Sequence, residues 1–173
     1  MPKMSADEVT RFLDEPGHLL RIGTVDDDGM PRVTPTWFLH DEGRILFTPR
    51  SASVFLANVR RDPRVGLVID ESALPYRKVS IAGPAEIVHD LGDDDVWRHT
   101  YRSITGRYID PDATEAYIQA TIDQPRALLA VELAAARVTT WRMPVEGEDG
   151  TGIWARRYYG DDTKMARRAA GDA

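Results

Sequence analysis

The segment Thr48-Pro49-Arg50-Ser51-Ala52-Ser53 places a guanidinium and two serine hydroxyls where an apolar run, Ile45-Leu46-Phe47, passes into a stretch with helical spacing. A helix start leaves unpaired N–H groups and a partial positive charge, so it attracts anions. Arg50 adds a charge-assisted donor beside it, and Ser51 and Ser53 add neutral ones. Together they would seat a phosphate. The plainer alternative is that Ser51 or Ser53 caps the helix and Arg50 is solvated. A second basic pair, Arg77-Lys78, opens a later strand. In an antiparallel barrel that strand can lie close to the helix start, and the converging cations would clamp a phosphate. Otherwise the pair simply protects a strand end from pairing with another chain.

Pro35 and Trp37 alternate with Val33 and Leu39 along a strand. Such residues either pack an ordinary core or form a wall for a flat aromatic cofactor. Trp141, Trp154, Tyr158 and Tyr159 would cover such a ring from another side or another subunit. His18, His40, His89 and His99 show no ligand spacing on a common element, so no metal site is expected. Asp26-Asp27-Asp28 reads as turn chemistry and Asp93-Asp94-Asp95 as an acidic helix start, not as calcium sites. There is no Walker-type phosphate loop, no His-Glu-x-x-His motif and no Gly-x-Ser-x-Gly elbow. The Gly150 to Ala155 stretch matches the dinucleotide pattern formally, but no strand leads into it.

The elements that must position these residues follow from local signals. Ser5-Ala6-Asp7-Glu8 is a capping box, and Pro16-Gly17 ends the first helix. Strands are predicted over 18–26, 30–40, 44–48, 64–69, 77–89 and 127–141. Asp27-Asp28-Gly29 and Asp41-Glu42-Gly43 supply turns. Pro35 requires an edge or a bulge, Gly83-Pro84 suggests another, and the last strand is interrupted near Ala134-Ala135-Ala136. A short helix ends at about Arg61. A helical pair precedes the final strand, the first carrying Trp97, Tyr101, Ile104 and Tyr108, the second opened by Asp110-Pro111. Six strands joined mostly by antiparallel turns predict a mainly β barrel with helices on its rim.

Composition narrows the function. With 173 residues, 42% of them apolar, the chain can bury one sizeable core. The absence of cysteine excludes thiolate catalysis and Cys-ligated metals. A net charge of −6 argues against broad nucleic-acid binding, so an anionic ligand needs a local basic cluster. No apolar run approaches the ~20 residues of a membrane span, and no signal-peptide core is evident. A soluble, cytoplasmic protein is expected.

The order of several segments resembles the pyridoxamine 5'-phosphate oxidase-like split-barrel family, which binds flavins and deazaflavins. These are Gly23-Thr24-Val25-Asp26, Asp28 to Pro35, Ile45 to Thr48, Leu56 to Val65 and Val79 to Ala85. The resemblance implies a six-stranded antiparallel split barrel over residues 1–141, with 142–173 a tail that covers the site or is partly disordered. It implies a homodimer with FMN, or the 8-hydroxy-5-deazaflavin coenzyme F-420, at the subunit interface. Carried over by position, the ring lies along Thr34, Pro35, Thr36 and Trp37, with Thr48 nearby. The phosphate end falls to Arg50, Ser51, Ser53, Arg77 and Lys78. One position departs: many members carry a lysine just before the Leu-Ala-Asn segment, and here it is Phe55. The expected activity is hydride transfer to a small substrate, with His40 and Tyr76 as candidate proton donors. A non-catalytic FMN carrier or sensor, and an interaction-only dimer, are the alternatives.

Overall fold

The computed structural model describes residues 3–148 and Arg167. Its helices are α1 (Ala6–Asp14), α2 (Val54–Arg61), α3 (Asp94–Thr105) and α4 (Pro111–Ala120). Its strands are β1 (Leu20–Val25), β2 (Pro31–Thr36), β3 (Phe38–Asp41), β4 (Arg44–Phe47), β5 (Arg64–Asp70), β6 (Lys78–Pro84), β7 (Glu86–His89), β8 (Leu128–Glu132) and β9 (Arg137–Trp141).

Nine short strands replace the six predicted ones because three long strands bend. Each bent strand leaves one sheet and enters the other, at Trp37, at Ala85 and at the 3-10 turn Leu133–Ala135. The result is a five-stranded sheet, β2-β1-β5-β6-β9, and a four-stranded sheet, β3-β4-β8-β7, in which every strand pair is antiparallel. This is the expected split barrel with peripheral helices, its corners made by strands that switch sheets. Pro35 sits in β2, an edge strand, where its missing N–H costs no ladder bond. Two corners meet at Gly83: a Cβ built there would lie 2.8 Å from Cβ of Ala136.

The barrel interior is filled by Leu20, Ile22, Phe38, Ile45, Phe47, Leu67, Ile69, Val79, Leu129 and Val131, all almost wholly buried. A second cluster lies outside the four-stranded sheet. There Leu46, Leu128 and Ala130 meet Trp97, Tyr101 and Ile104 of α3 and Ile118 of α4. Ser5 completes its capping box with Glu8, and Asp110 caps α4 with Pro111 at the first helical position. Buried Asn58 fixes α2 against the first hairpin by donating to Thr24 Oγ1 (3.0 Å) and the Asp26 carboxylate (2.7 Å). Among the described residues no helix is long and apolar enough to cross a membrane. The Gly150 to Ala155 stretch and Trp154, Tyr158 and Tyr159 lie outside the described residues.

Candidate functional site

β4 ends at Phe47, and the chain then turns into α2 through residues 48–53. Two bonds hold this turn to the segment entering β8: Ser51 N–H donates to the Pro125 carbonyl (3.0 Å) and Ala127 N–H to the Pro49 carbonyl (3.1 Å). Arg50 and Arg126 thereby face each other in an isolated antiparallel bridge. Ser53 occupies the N-cap position of α2 but makes no side-chain cap bond, and the first turn contains no acidic residue. The expectation that a serine side chain caps this helix is corrected accordingly. Its first amides keep their affinity for an incoming acceptor. An open hollow of about 360 Å3 lies here, lined by Thr48, Arg50, Ser53, Phe55 and Arg126.

Arg126 also lines a second hollow of about 340 Å3, walled by Pro35, Thr36, Trp37, Tyr101 and Tyr117. Trp37 stands at a barrel corner and stacks on Tyr108 (centroids 5.0 Å, planes 8° apart), with Tyr117 edge-on at 5.7 Å. The Tyr108 hydroxyl donates to the His18 carbonyl (2.7 Å) and accepts from Phe38 N–H (3.1 Å), which fixes that corner. The Arg126 guanidinium lies 4.6 Å from the Tyr101 ring centre. Its Nη2 donates to the Tyr117 hydroxyl at 3.2 Å, and Nη2 of Arg50 donates to the same oxygen at 3.2 Å. Burial pushes the Tyr117 phenol up, but its polar contacts, the two guanidiniums among them, outweigh burial and hold it below the ordinary tyrosine value. Burial pushes Tyr101 well up, with Arg126 opposing and Tyr117 adding to it.

Two other expected cations already have partners of their own. The Arg77 guanidinium is held by both oxygens of Glu15 (2.7 Å each) and both of Glu71 (2.9 and 2.7 Å), above the Phe12 ring. It shares no partner with Arg50, and its charge is already matched. Glu15, His18 and Glu71 are close enough to suggest a metal site, but Arg77 already binds both carboxylates. Lys78 lies over the Trp141 ring at 5.1 Å. Within one chain, then, the side-chain partners of Arg77 (Glu15 and Glu71) and Lys78 (Trp141) differ from that of Arg50 (Tyr117).

Of the other residues singled out from sequence, Pro35, Thr36 and Trp37 line one hollow, and Thr48, Arg50 and Ser53 the other. Thr34 pairs with Ile22 in the β1–β2 ladder, and Ser51 is exposed on the turn; neither lines either of these two hollows. His40 faces Asp14 (2.8 Å), and Tyr76 sits in an exposed loop after a cis Leu74–Pro75 bond. Neither of them lines these hollows. Tyr101, Tyr117 and Arg126 were not anticipated. Tyr117 and Arg126 carry no local motif, and only the pairing of positions 76 apart brings Arg126 to Arg50.

A family model described as pyridoxamine 5'-phosphate oxidase matches residues 5–142, and the chain belongs to that family. Comparison with curated proteins gave no match. Among solved structures, a conserved hypothetical protein from Mycobacterium tuberculosis is 25% identical, with a TM-score of 0.66 over 86% of this chain and 94% of that one. An FAD-binding protein from Mesorhizobium loti is 18% identical, with a TM-score of 0.57 over 80% and 93% of the two chains. An F420 reductase is 23% identical, with a TM-score of 0.55 over 79% and 98%.

Proposed function

We propose that this chain is an oxidoreductase that holds FMN, or the 5-deazaflavin coenzyme F-420 in its place, and serves hydride transfer to or from a small substrate. One observation carries the reading: the two hollows share Arg126 as a lining residue. A flat aromatic wall therefore adjoins a turn that offers a cation, a free hydroxyl and uncapped helix amides. That pairing suits a molecule with a planar ring at one end and an anion at the other. When bound, such a cofactor supplies the hydride chemistry. Pro35, Thr36 and Trp37 would orient the ring and exclude water from one side, while Arg50, Ser53 and the amides opening α2 would hold the anionic end.

The reading includes a homodimer. The outer face of the five-stranded sheet carries a shallow apolar trough of about 450 Å3 along Gly23, Val33, Gly66, Val68 and Ala82. Val33 is 67% exposed there. A second copy of the chain on this face would bury it and bring the cofactor sites to the interface. The absence of cysteine fits a cytoplasmic location.

The test is a fluorescence titration of the purified protein with FMN and with F-420. Saturable binding of one of them is expected. Arg50→Ala should weaken it by about 1.5–3 kcal/mol, the cost of a lost charge-assisted contact. Failure of both ligands to bind would remove the reading. A carrier protein would instead retain its ligand and turn over no electron donor or acceptor.

A further inference from the structure

Arg126 is the least expected charge in the protein. It is only 6% exposed, and its Nε is buried without a hydrogen-bond partner. A buried guanidinium is normally matched by a carboxylate, because leaving it unmatched costs several kcal/mol. Neither Arg126 nor Arg50 makes an ion pair among the described residues; the side-chain hydrogen bond of each goes to the Tyr117 hydroxyl. Asp94 is engaged with backbone: its carboxylate accepts from the amides of Arg126 (2.9 Å) and Gly92 (3.3 Å).

We infer that Arg126, Arg50 and Tyr117 form a seat for an oxyanion, a phosphate or carboxylate carried by the molecule that fills the adjoining hollows. The Tyr117 oxygen already accepts from both guanidiniums, so its own proton points away from them. Two fork-shaped cations and one hydroxyl thus face a shared space. The aromatic rings of Trp37, Tyr101 and Tyr117 wall that space on one side. The seat adds residues 117 and 126 to the binding machinery proposed above and rests on that reading only for the source of the anion. That source is either the tail of the cofactor or an acidic group on the substrate.

The experiment uses the full-length chain and inorganic phosphate, with chloride at equal ionic strength as the control. Phosphate is expected to raise the melting temperature saturably, and Arg126→Gln and Arg50→Gln are each expected to weaken phosphate binding about tenfold or more. Arg50 is exposed, so its variant keeps the test valid if the buried substitution impairs folding. Tyr117→Phe supplies a third arm, with a smaller loss. Phosphate binding that is absent in the native chain, or unchanged in the arginine variants, overturns the proposal. FMN and riboflavin then separate the two sources. Loss of FMN affinity in Arg126→Gln, with riboflavin unaffected, assigns the seat to the cofactor. Unchanged FMN affinity, with arginine-dependent phosphate binding to the FMN-loaded protein, assigns it to the substrate. If phosphate binds through these arginines while neither FMN nor F-420 binds, the seat stands and the flavin reading falls.

Discussion

Arg50 and Arg126 face one another across an isolated backbone bridge and donate to a single phenolic oxygen. Two like charges so placed repel, and one of them is buried. The protein therefore holds an electrostatic strain that an anion would relieve. Arg126→Met, which keeps most of the side-chain volume, should raise the stability of the ligand-free chain by about 1 kcal/mol or more. The unmatched buried charge costs more than the ~0.5–2 kcal/mol its contact with Tyr101 returns. Urea unfolding should show this gain, together with loss of any stabilisation by phosphate.

The Arg77 cluster predicts an acid-sensitive fold. Hydrogen bonds from Arg77 hold Glu15 and Glu71 below the ordinary 4.5. A carboxylate whose folded value is depressed contributes fully above its unfolded value and loses that contribution as pH falls through the folded one. Stability should thus be steady near neutrality and decline below about pH 4.5. Glu71→Gln should cost about 1 kcal/mol at pH 7, below the ~1.5–3 kcal/mol of a fully buried charged contact, because Arg77 is partly exposed and keeps Glu15. The variant should also flatten the acid slope in urea melts at pH 3–7.

Gly83 sits where two barrel corners touch. Its added Cβ would meet Ala136 at 2.8 Å for Cβ and 3.2 Å for Cα, neither of which can swing aside. Gly83→Ala should destabilise by about 1–3 kcal/mol. The melting temperature should fall by several degrees with no change in the circular-dichroism spectrum at low temperature.

Gly66 tests the dimer. A Cβ there meets nothing within 4 Å in the single chain. Gly66→Glu should therefore fold normally yet place a charge on the outer face of the five-stranded sheet. Light scattering should give twice the 19.4 kDa chain mass for the native protein and the chain mass for the variant. A native monomer, or a variant that still dimerises, rejects that face as the interface.

Much of the barrel was legible in the residues. Ser5 and Glu8 announced α1, Asp110-Pro111 announced α4, and Pro35 marked an edge. Even the bends left traces in Gly83-Pro84 and in the alanines near residue 135. The site was harder to read. Pro35, Thr36, Trp37, Thr48, Arg50 and Ser53 do line the two hollows, because strand alternation and the strand-to-helix turn are local properties. Arg77 looked like a spare cation because sequence does not show that Glu15 and Glu71 close on it from other elements. Arg126 was invisible for the same reason: its partner is set by strand pairing across 75 intervening positions.

That pairing also fixes what the seat can accept. Arg50 and Arg126 continue the direction of the β4–β8 ladder, in which Phe47 lies opposite Leu129. Their separation is gauged by the register of two core strands, and a slip of one residue would turn both buried faces outward. A pair mounted this way has fixed backbone positions, and only its side chains can adjust to a guest. It should select by size, grading anions by how well they span a gap that the barrel itself has measured.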